Sequence, residues 1–206
     1  MSKTPTRIQQ RNRAAILSAG LDVFSQYGFR GSTLDQIAEA AGLSKPNLLY
    51  YFPSKEAIHT ALLERLLETW LDPLKSLDGD GDPVEEIMNY ARRKLTMSRE
   101  YPRESRLFAN EILQGAPRIA EILRTDLKAL VDEKAQIIRD WADAGKIATV
   151  DPHHLIFSIW ALTQHYADFD VQVRAVRGTD DPFAGAGAFL DHVMRSVLTP
   201  VSGNTS

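Results

Sequence analysis

The stretch TLDQIAEAAGLSKPNLLYYFPSK, residues 33–55, constrains the fold of this chain more than any other. Thr33 followed three residues later by Gln36 is a capping-box start for a short helix, because each side chain can satisfy a backbone N–H of the other. Leu34, Ile37, Ala38 and Ala41 recur at helical spacing and give that helix one buried face. Gly42 supplies its end, since a residue without Cβ enters the left-handed region without strain. Ser44 caps a second helix, Leu48, Leu49 and Phe52 form its apolar face, Pro53 stops it, and Ser54 opens a third. Two short helices joined by a Gly-containing turn make a helix-turn-helix, whose second helix enters the major groove of DNA.

Charge is distributed to match. Residues 1–55 hold seven basic residues (Lys3, Arg7, Arg11, Arg13, Arg30, Lys45, Lys55) and three acidic ones (Asp22, Asp35, Glu39), a net of +4. The whole chain carries −3, so the remainder carries −7. A basic quarter on an acidic body confines affinity for phosphates to one end. Lys3, Arg7 and Arg11 are candidates for a flexible arm along the DNA backbone. No apolar run approaches the roughly 18 residues of a membrane span, and the N-terminus has no apolar segment of a secretory signal. The absence of cysteine removes disulfides, Cys-ligated zinc and a Cys nucleophile. These features predict a cytoplasmic protein without a membrane partner.

Helical periodicity continues throughout, and no strand signal or internal repeat is present. Residues 7–27 read as an amphipathic helix ended by Gly28, bracing the other two. A long apolar-periodic helix follows from Ser54, with Pro73 near its end as a kink or stop. The loop DGDGDP (78–83) alternates aspartates like a calcium loop, but Pro83 holds the place that needs Gly and Asn89 the place that needs Glu. Further helices are expected near 83–99, 103–113, 117–124, 126–144, from Pro152 to about Val173, and 183–198. The expected organisation is all-α: a DNA-binding domain over 1–54, a ligand-binding and dimerisation domain over 55–200, and a disordered tail at 201–206.

The last two long helices carry more apolar surface than one partner can cover. Leu155, Ile159, Leu162, Tyr166, Phe169 and Val173 form one stripe, with Ile156, Trp160, Thr163 and Ala167 beside it. The final helix has Phe189, Leu190, Val193, Met194 and Val197. A helix apolar on two adjacent faces needs two packing partners. A homodimer seam through Leu162, Tyr166, Phe169, Val193 and Val197 satisfies both, and a two-fold dimer matches a palindromic operator. The alternative is a helix buried wholly within one subunit.

An enzyme is the rival class. His153, His154 and His165 with Asp168 and Asp170 are the residues to weigh, and His165 and Asp168 stand at ligand spacing on a helix. No second pair accompanies them. No Ser–His–Asp order, phosphate-cradling loop or dinucleotide fingerprint exists, and the glycines of AGAG (184–187) lack the required spacing. No catalytic residue, metal or cofactor is expected. A constitutive DNA-binding protein without effector is a third class.

TLDQIAEAAGLSKPNLLYYFPSKEAI resembles the signature of TetR-family regulators. That likeness implies a three-helix DNA-binding domain followed by an all-helical ligand-binding and dimerisation domain. LLYYFPSKEAI (48–58), EYPRESRLFANEILQGAP (100–117), DLKALVDEKAQII (126–138) and DPHHLIFSIWALTQHYADF (151–169) resemble the pyrimidine-responsive members of the family. The resemblance implies a dimeric repressor whose grip on double-stranded DNA changes when a small effector such as uracil or thymine binds. The Tyr usual in the family stands here as Leu49, leaving Tyr50 and Tyr51 as candidates to replace its phosphate contact.

At the DNA, Lys45 can reach guanine acceptors or a phosphate, Asn47 can pair with adenine, and Pro46 offers an apolar contact to a thymine methyl. Ser44, Tyr50, Tyr51, Thr33 and Lys55 complete the expected interface, the tyrosine hydroxyls, the Thr33 helix start and the Lys55 cation serving phosphates. For an effector with an imide N–H between two carbonyls, the candidates are Trp70, Arg106, Glu111, Trp160, Gln164 and His165. The tryptophans would stack on the ring, and Gln164 would accept from the imide and donate to a carbonyl. His165 or Arg106 would donate to the other carbonyl, and Glu111 would accept from a ring N–H. The competing reading makes the tryptophans core and the polar groups satisfied within the fold.

Overall fold

The structure is a computed structural model describing residues 6–200; Lys3 of the expected arm and the expected tail at 201–206 lie outside the described residues. Among the described residues every regular element is helical. The first six helices are α1 (Arg7–Gly31), α2 (Leu34–Ala40), α3 (Lys45–Tyr51), α4 (Lys55–Lys75), α5 (Pro83–Glu100) and α6 (Pro102–Leu113). Then come the single turn α7 (Ala120–Ile122), a π-helical turn (Leu123–Leu127), α8 (Lys128–Asp143), α9 (Pro152–Asp168), α10 (Asp170–Arg177) and α11 (Ala186–Leu198). The chain forms two compact units, one running to Glu68 with Arg106–Ala120, the other comprising Thr69–Ser105 and the chain from Glu121 onward.

In the first unit, α1 opens on a capping box in which Thr6 and Gln9 satisfy each other's backbone N–H. It does not stop at Gly28. That residue sits inside the helix at φ 67°, ψ 174°, so the chain kinks and then makes one more turn. The expected Thr33–Gln36 box starts α2, and Ser44 caps α3 with Pro46 in the first turn. The core includes Ile16 and Phe24 of α1, Ile37 of α2, Leu48 of α3, Phe52, and Ile58 and Leu63 of α4. Gly20 permits the close approach of α1 to α4: a Cβ there would lie 2.8 Å from Ile58 Cγ2. α4 ends two residues past Pro73, whose missing N–H falls in the final turn.

In the second unit α5 packs against α9 and α11, and α8 against α9. Its core joins Ile87, Met88 and Ala91 of α5, Ile138 and Trp141 of α8, Leu155, Ile156 and Ile159 of α9, and Leu190 and Met194 of α11. The 78–83 loop is held by its own bonds: Asp82 caps α5 through Glu85 N, Asp80 N donates to Asp78, and Trp141 Nε1 donates to Gly79 O at 3.1 Å. Three boundaries differ from expectation. The helix read over 117–124 is one short α-turn that passes through the π-turn directly into α8. The helix expected to reach Val173 breaks at Phe169, where φ −118° and ψ 32° leave helical geometry before α10 resumes. The last helix starts at Ala186 rather than 183, after Gly185 adopts φ 76°.

Candidate DNA interface and effector residues

On α3 the division between core and solvent is sharp. Leu48 and the following Phe52 are buried, while Ser44, Lys45, Pro46, Asn47, Leu49 and Tyr50 are exposed, Tyr50 at 71%. Lys45 Nζ pairs with Asp35 Oδ2 at 2.9 Å, both side chains solvent-exposed. Such a pair is worth at most about 1 kcal/mol, so the cation can exchange Asp35 for another anion. Tyr51 is half-buried, and its hydroxyl accepts from Asn12 Nδ2 at 3.0 Å. Tyr50's hydroxyl receives Gln9 Nε2 at 3.4 Å, and the two rings meet edge to face at 5.1 Å. Thr33 is exposed, yet its N–H and hydroxyl both donate to Gln36 Oε1. In the absence of DNA those Thr33 donors are therefore taken up by Gln36, in bonds as exposed as the Lys45–Asp35 pair.

Lys55 is also engaged within the fold. Its ammonium donates to Phe29 O at 2.7 Å and Ser32 O at 2.6 Å, and lies 4.4 Å above the Phe29 ring. It satisfies carbonyls around the end of α1, where a cation is favoured, and one of its three N–H donors remains for a phosphate.

Glu111 is corrected for a related reason. It is 2% exposed and accepts from Arg118 Nη1 and from Arg118 N, each at 2.8 Å. Arg118 stacks on Phe29 at 3.5 Å, and His59 packs edge-on against Phe24 and Phe29. His59 Nδ1 lies 3.9 Å from Glu111 Oε2. Burial, with the nearby Arg118 and Lys55 cations, pushes the His59 pKa down to about 4 against a small opposing effect of Glu56. The imidazole is therefore neutral at pH 7. With both oxygens already accepting from Arg118 and the group closed off from solvent, Glu111 serves the fold rather than an effector N–H. His59 and Arg118 went unnoticed in the sequence, where a histidine amid Ile58, Leu62 and Leu63 gives only a weak hint.

In the second unit the expected tryptophans meet one face of α5. Trp70 is buried, and Lys94 Nζ lies 4.1 Å over its ring. One turn earlier, Tyr90 receives Trp160 Nε1 on its hydroxyl at 2.6 Å. Burial raises the Tyr90 pKa, opposed by that bond, and pushes Lys94 down to about 8 against the attraction of Asp168. Asp168 accepts the Ser105 hydroxyl. Gln164, one turn beyond Trp160 on α9, is half-buried. His165 points elsewhere: it is exposed and stacks on Phe169 at 5.0 Å, so it does not join Trp160 and Gln164. Arg106 is half-buried on the part of α6 that belongs to the first unit. Tyr90 and Lys94 were missed, because an i, i+4 pair on an amphipathic helix looks like ordinary patterning.

Two family descriptions match this arrangement. "Bacterial regulatory proteins, tetR family" covers residues 16–62, and "YcdC-like protein, C-terminal region" covers residues 63–201. The chain belongs to the TetR family. Within it, the chain is 56% identical over 173 residues to the HTH-type transcriptional regulator RutR of Escherichia coli K12, spanning 84% of this chain and 82% of that one. It is 26% identical over 145 residues to UidR of the same organism, spanning 68% and 70%. Among solved structures, a tetR-family regulatory protein from Rhodococcus RHA1 has a TM-score of 0.74 at 19% identity, covering 98% of this chain and 100% of that chain. The fatty acid degradation regulator FadR from Bacillus halodurans has a TM-score of 0.67 at 18% identity, over the same shares. These two share the fold. The protein is thus a helix-turn-helix transcriptional regulator of the TetR type.

On this TetR-family body, α9 and α11 each bury one face and leave another open. Leu155, Ile156, Ile159, Thr163 and Ala167 are buried, drawn from both apolar stripes read in the sequence. Leu162 and Tyr166 are half-buried and Phe169 is 51% exposed. On α11, Leu190, Met194 and Leu198 are buried, Val193 is half-buried, and Phe189 and Val197 remain exposed. Among the described residues no helix is long and apolar enough to cross a membrane.

Proposed function

We propose that this TetR-family regulator binds a palindromic operator as a homodimer, and that a small neutral pyrimidine such as uracil or thymine lowers its affinity. The observation that carries the DNA reading is the exposed face of α3. Lys45, Pro46, Asn47 and Tyr50 are exposed on a helix anchored by the buried side chains of Leu48 and the following Phe52. That is the arrangement a recognition helix needs, with base-reading groups toward the N-terminal turn and hydroxyl donors beyond it. The open apolar faces of α9 and α11 support the dimer, with Leu162, Tyr166, Phe169, Val193 and Val197 at its seam. Identity with RutR, together with the sequence likeness to pyrimidine-responsive regulators, supports the effector class.

The effector residues proposed are those of the second unit: Trp70 and Trp160 as apolar walls, Gln164 for the imide edge, and Lys94 as a donor to a ring carbonyl. Lys94 serves this role well because a buried ammonium gains most from an acceptor that replaces lost hydration. The test is operator binding with and without uracil. Alanine at both Lys45 and Asn47 should abolish sequence preference; unchanged operator affinity would remove α3 as the reader. Gln164→Leu should bind operator normally and no longer respond to uracil, whereas a normally released variant would eliminate this pocket.

A further inference from the structure

The groove-facing tyrosines of α3 are held from behind by α1. Gln9 and Asn12, three residues apart on α1 and so on one helix face, each direct a side-chain amide to a hydroxyl of the adjacent Tyr50 and Tyr51. The direction of the Gln9 amide is fixed independently: its Oε1 accepts from Thr6 N at 2.8 Å, leaving Nε2 to point at Tyr50. Asn12 is half-buried, and its 3.0 Å bond to Tyr51 spans 39 residues of sequence.

A phenol hydroxyl has one proton to give and lone pairs to receive. When an amide N–H fills a lone pair, the phenol proton must look elsewhere for its acceptor. In a complex with DNA, a backbone phosphate oxygen would be such an acceptor. The same amide bond polarises the O–H and strengthens its onward donation to an anion. We propose that Asn12, with Gln9 in support, is a positioning residue for DNA binding: it makes the Tyr51 hydroxyl a dedicated, pre-aimed donor to a backbone phosphate. The inference rests on the reading that α3 meets DNA. It assigns the start of α1 a task distinct from a basic arm, because neither amide carries charge.

The experiment is a double-mutant cycle on operator affinity across a salt series, with the full-length dimer and Asn12→Leu, Tyr51→Phe and the double variant. A hydrogen bond to a charged acceptor sets the scale, so each single substitution should weaken binding about tenfold. The double variant should bind no more weakly than Tyr51→Phe alone, because both remove one interaction. A neutral donor releases no counterion, so the slope of log affinity against log salt should stay at the wild-type value in all four proteins. Loss of the half-buried Asn12–Tyr51 bond should lower each variant's melting temperature by a few degrees at most. Additive losses, or an Asn12→Leu variant that binds as wild type while Tyr51→Phe is weakened, would overturn the positioning role and leave recognition by α3 standing. A melting temperature lower by more than those few degrees, or a shallower salt slope for Asn12→Leu, would also overturn it, by showing a loss of structure. Full affinity in Tyr51→Phe overturns the inference at its root; the Lys45 and Asn47 substitutions then decide separately whether α3 is the reader.

Discussion

Replacing Glu111 with alanine distinguishes an anchor from a ligand-binding group. The carboxylate receives two bonds of 2.8 Å from Arg118 and is 2% exposed. Its loss strands the guanidinium on the Phe29 face, where Nε already has no hydrogen-bond partner. Removing one member of a buried ion pair costs about 3–5 kcal/mol. The Arg118 side chain keeps 17% of its surface, through which water can reach it, so the lower end, about 3 kcal/mol, applies here. At about 2–4 °C per kcal/mol for a chain of this size, the melting temperature should fall by roughly 6–12 °C. Glu111→Gln keeps an acceptor for the Arg118 backbone N–H and should lose about half as much. Calorimetry measures the melt, and a uracil titration of operator binding well below it measures the response. The reasoning requires a large loss of stability with an intact response. A Glu111→Ala protein that melts like wild type but ignores uracil would refute it and restore Glu111 to the effector site.

Three further outcomes follow from buried or half-buried groups. With its pKa lowered to about 4, His59 takes up its proton more readily in the unfolded chain. Its contribution is therefore intact above pH 6.5 and shrinks as pH falls toward 4, by up to about 1.4 kcal/mol per pH unit, and His59→Leu should flatten that part of a urea-denaturation pH profile. Lys94, lowered to about 8, costs stability wherever it is charged, so Lys94→Met should raise the melting temperature by several degrees while abolishing the response to uracil. A less stable Lys94→Met protein would show that its contact with Trp70 outweighs burial of the charge. Leu162→Glu with Val193→Glu should give a folded monomer or an unfolded chain by light scattering; a folded dimer would place the seam elsewhere.

The elements legible in the sequence were those encoded by neighbours. Thr33 with Gln36, Ser44 before Pro46, and Asp151 before Pro152 mark helix starts through contacts three residues away, and the structure contains each of them. The break at Phe169 was not legible, because neither glycine nor proline marks it and the apolar spacing runs straight through. Side-chain roles failed for a different reason. The partners of Lys55 lie 26 and 23 residues earlier in the chain. Glu111 meets Arg118 across a turn in which Gly115 and Ala116 both take positive φ; Gly115 and Pro117 mark the turn in the sequence, but nothing there announces the positive φ of Ala116 or the pairing it permits. Charged residues were assigned to ligands where the fold had already paired them.

The anchoring of Lys55 has a consequence for how this regulator meets DNA. By bonding Phe29 O and Ser32 O, it joins the end of α1 and the approach to α2 to the start of α4, so the reading head is framed before any duplex arrives. The entropy of ordering that frame is spent in folding rather than in association. Binding should then lack the large negative heat-capacity change of coupled folding, leaving the signature of two preformed surfaces docking. An effector acting on such a head would have to move it as a solid piece rather than melt it.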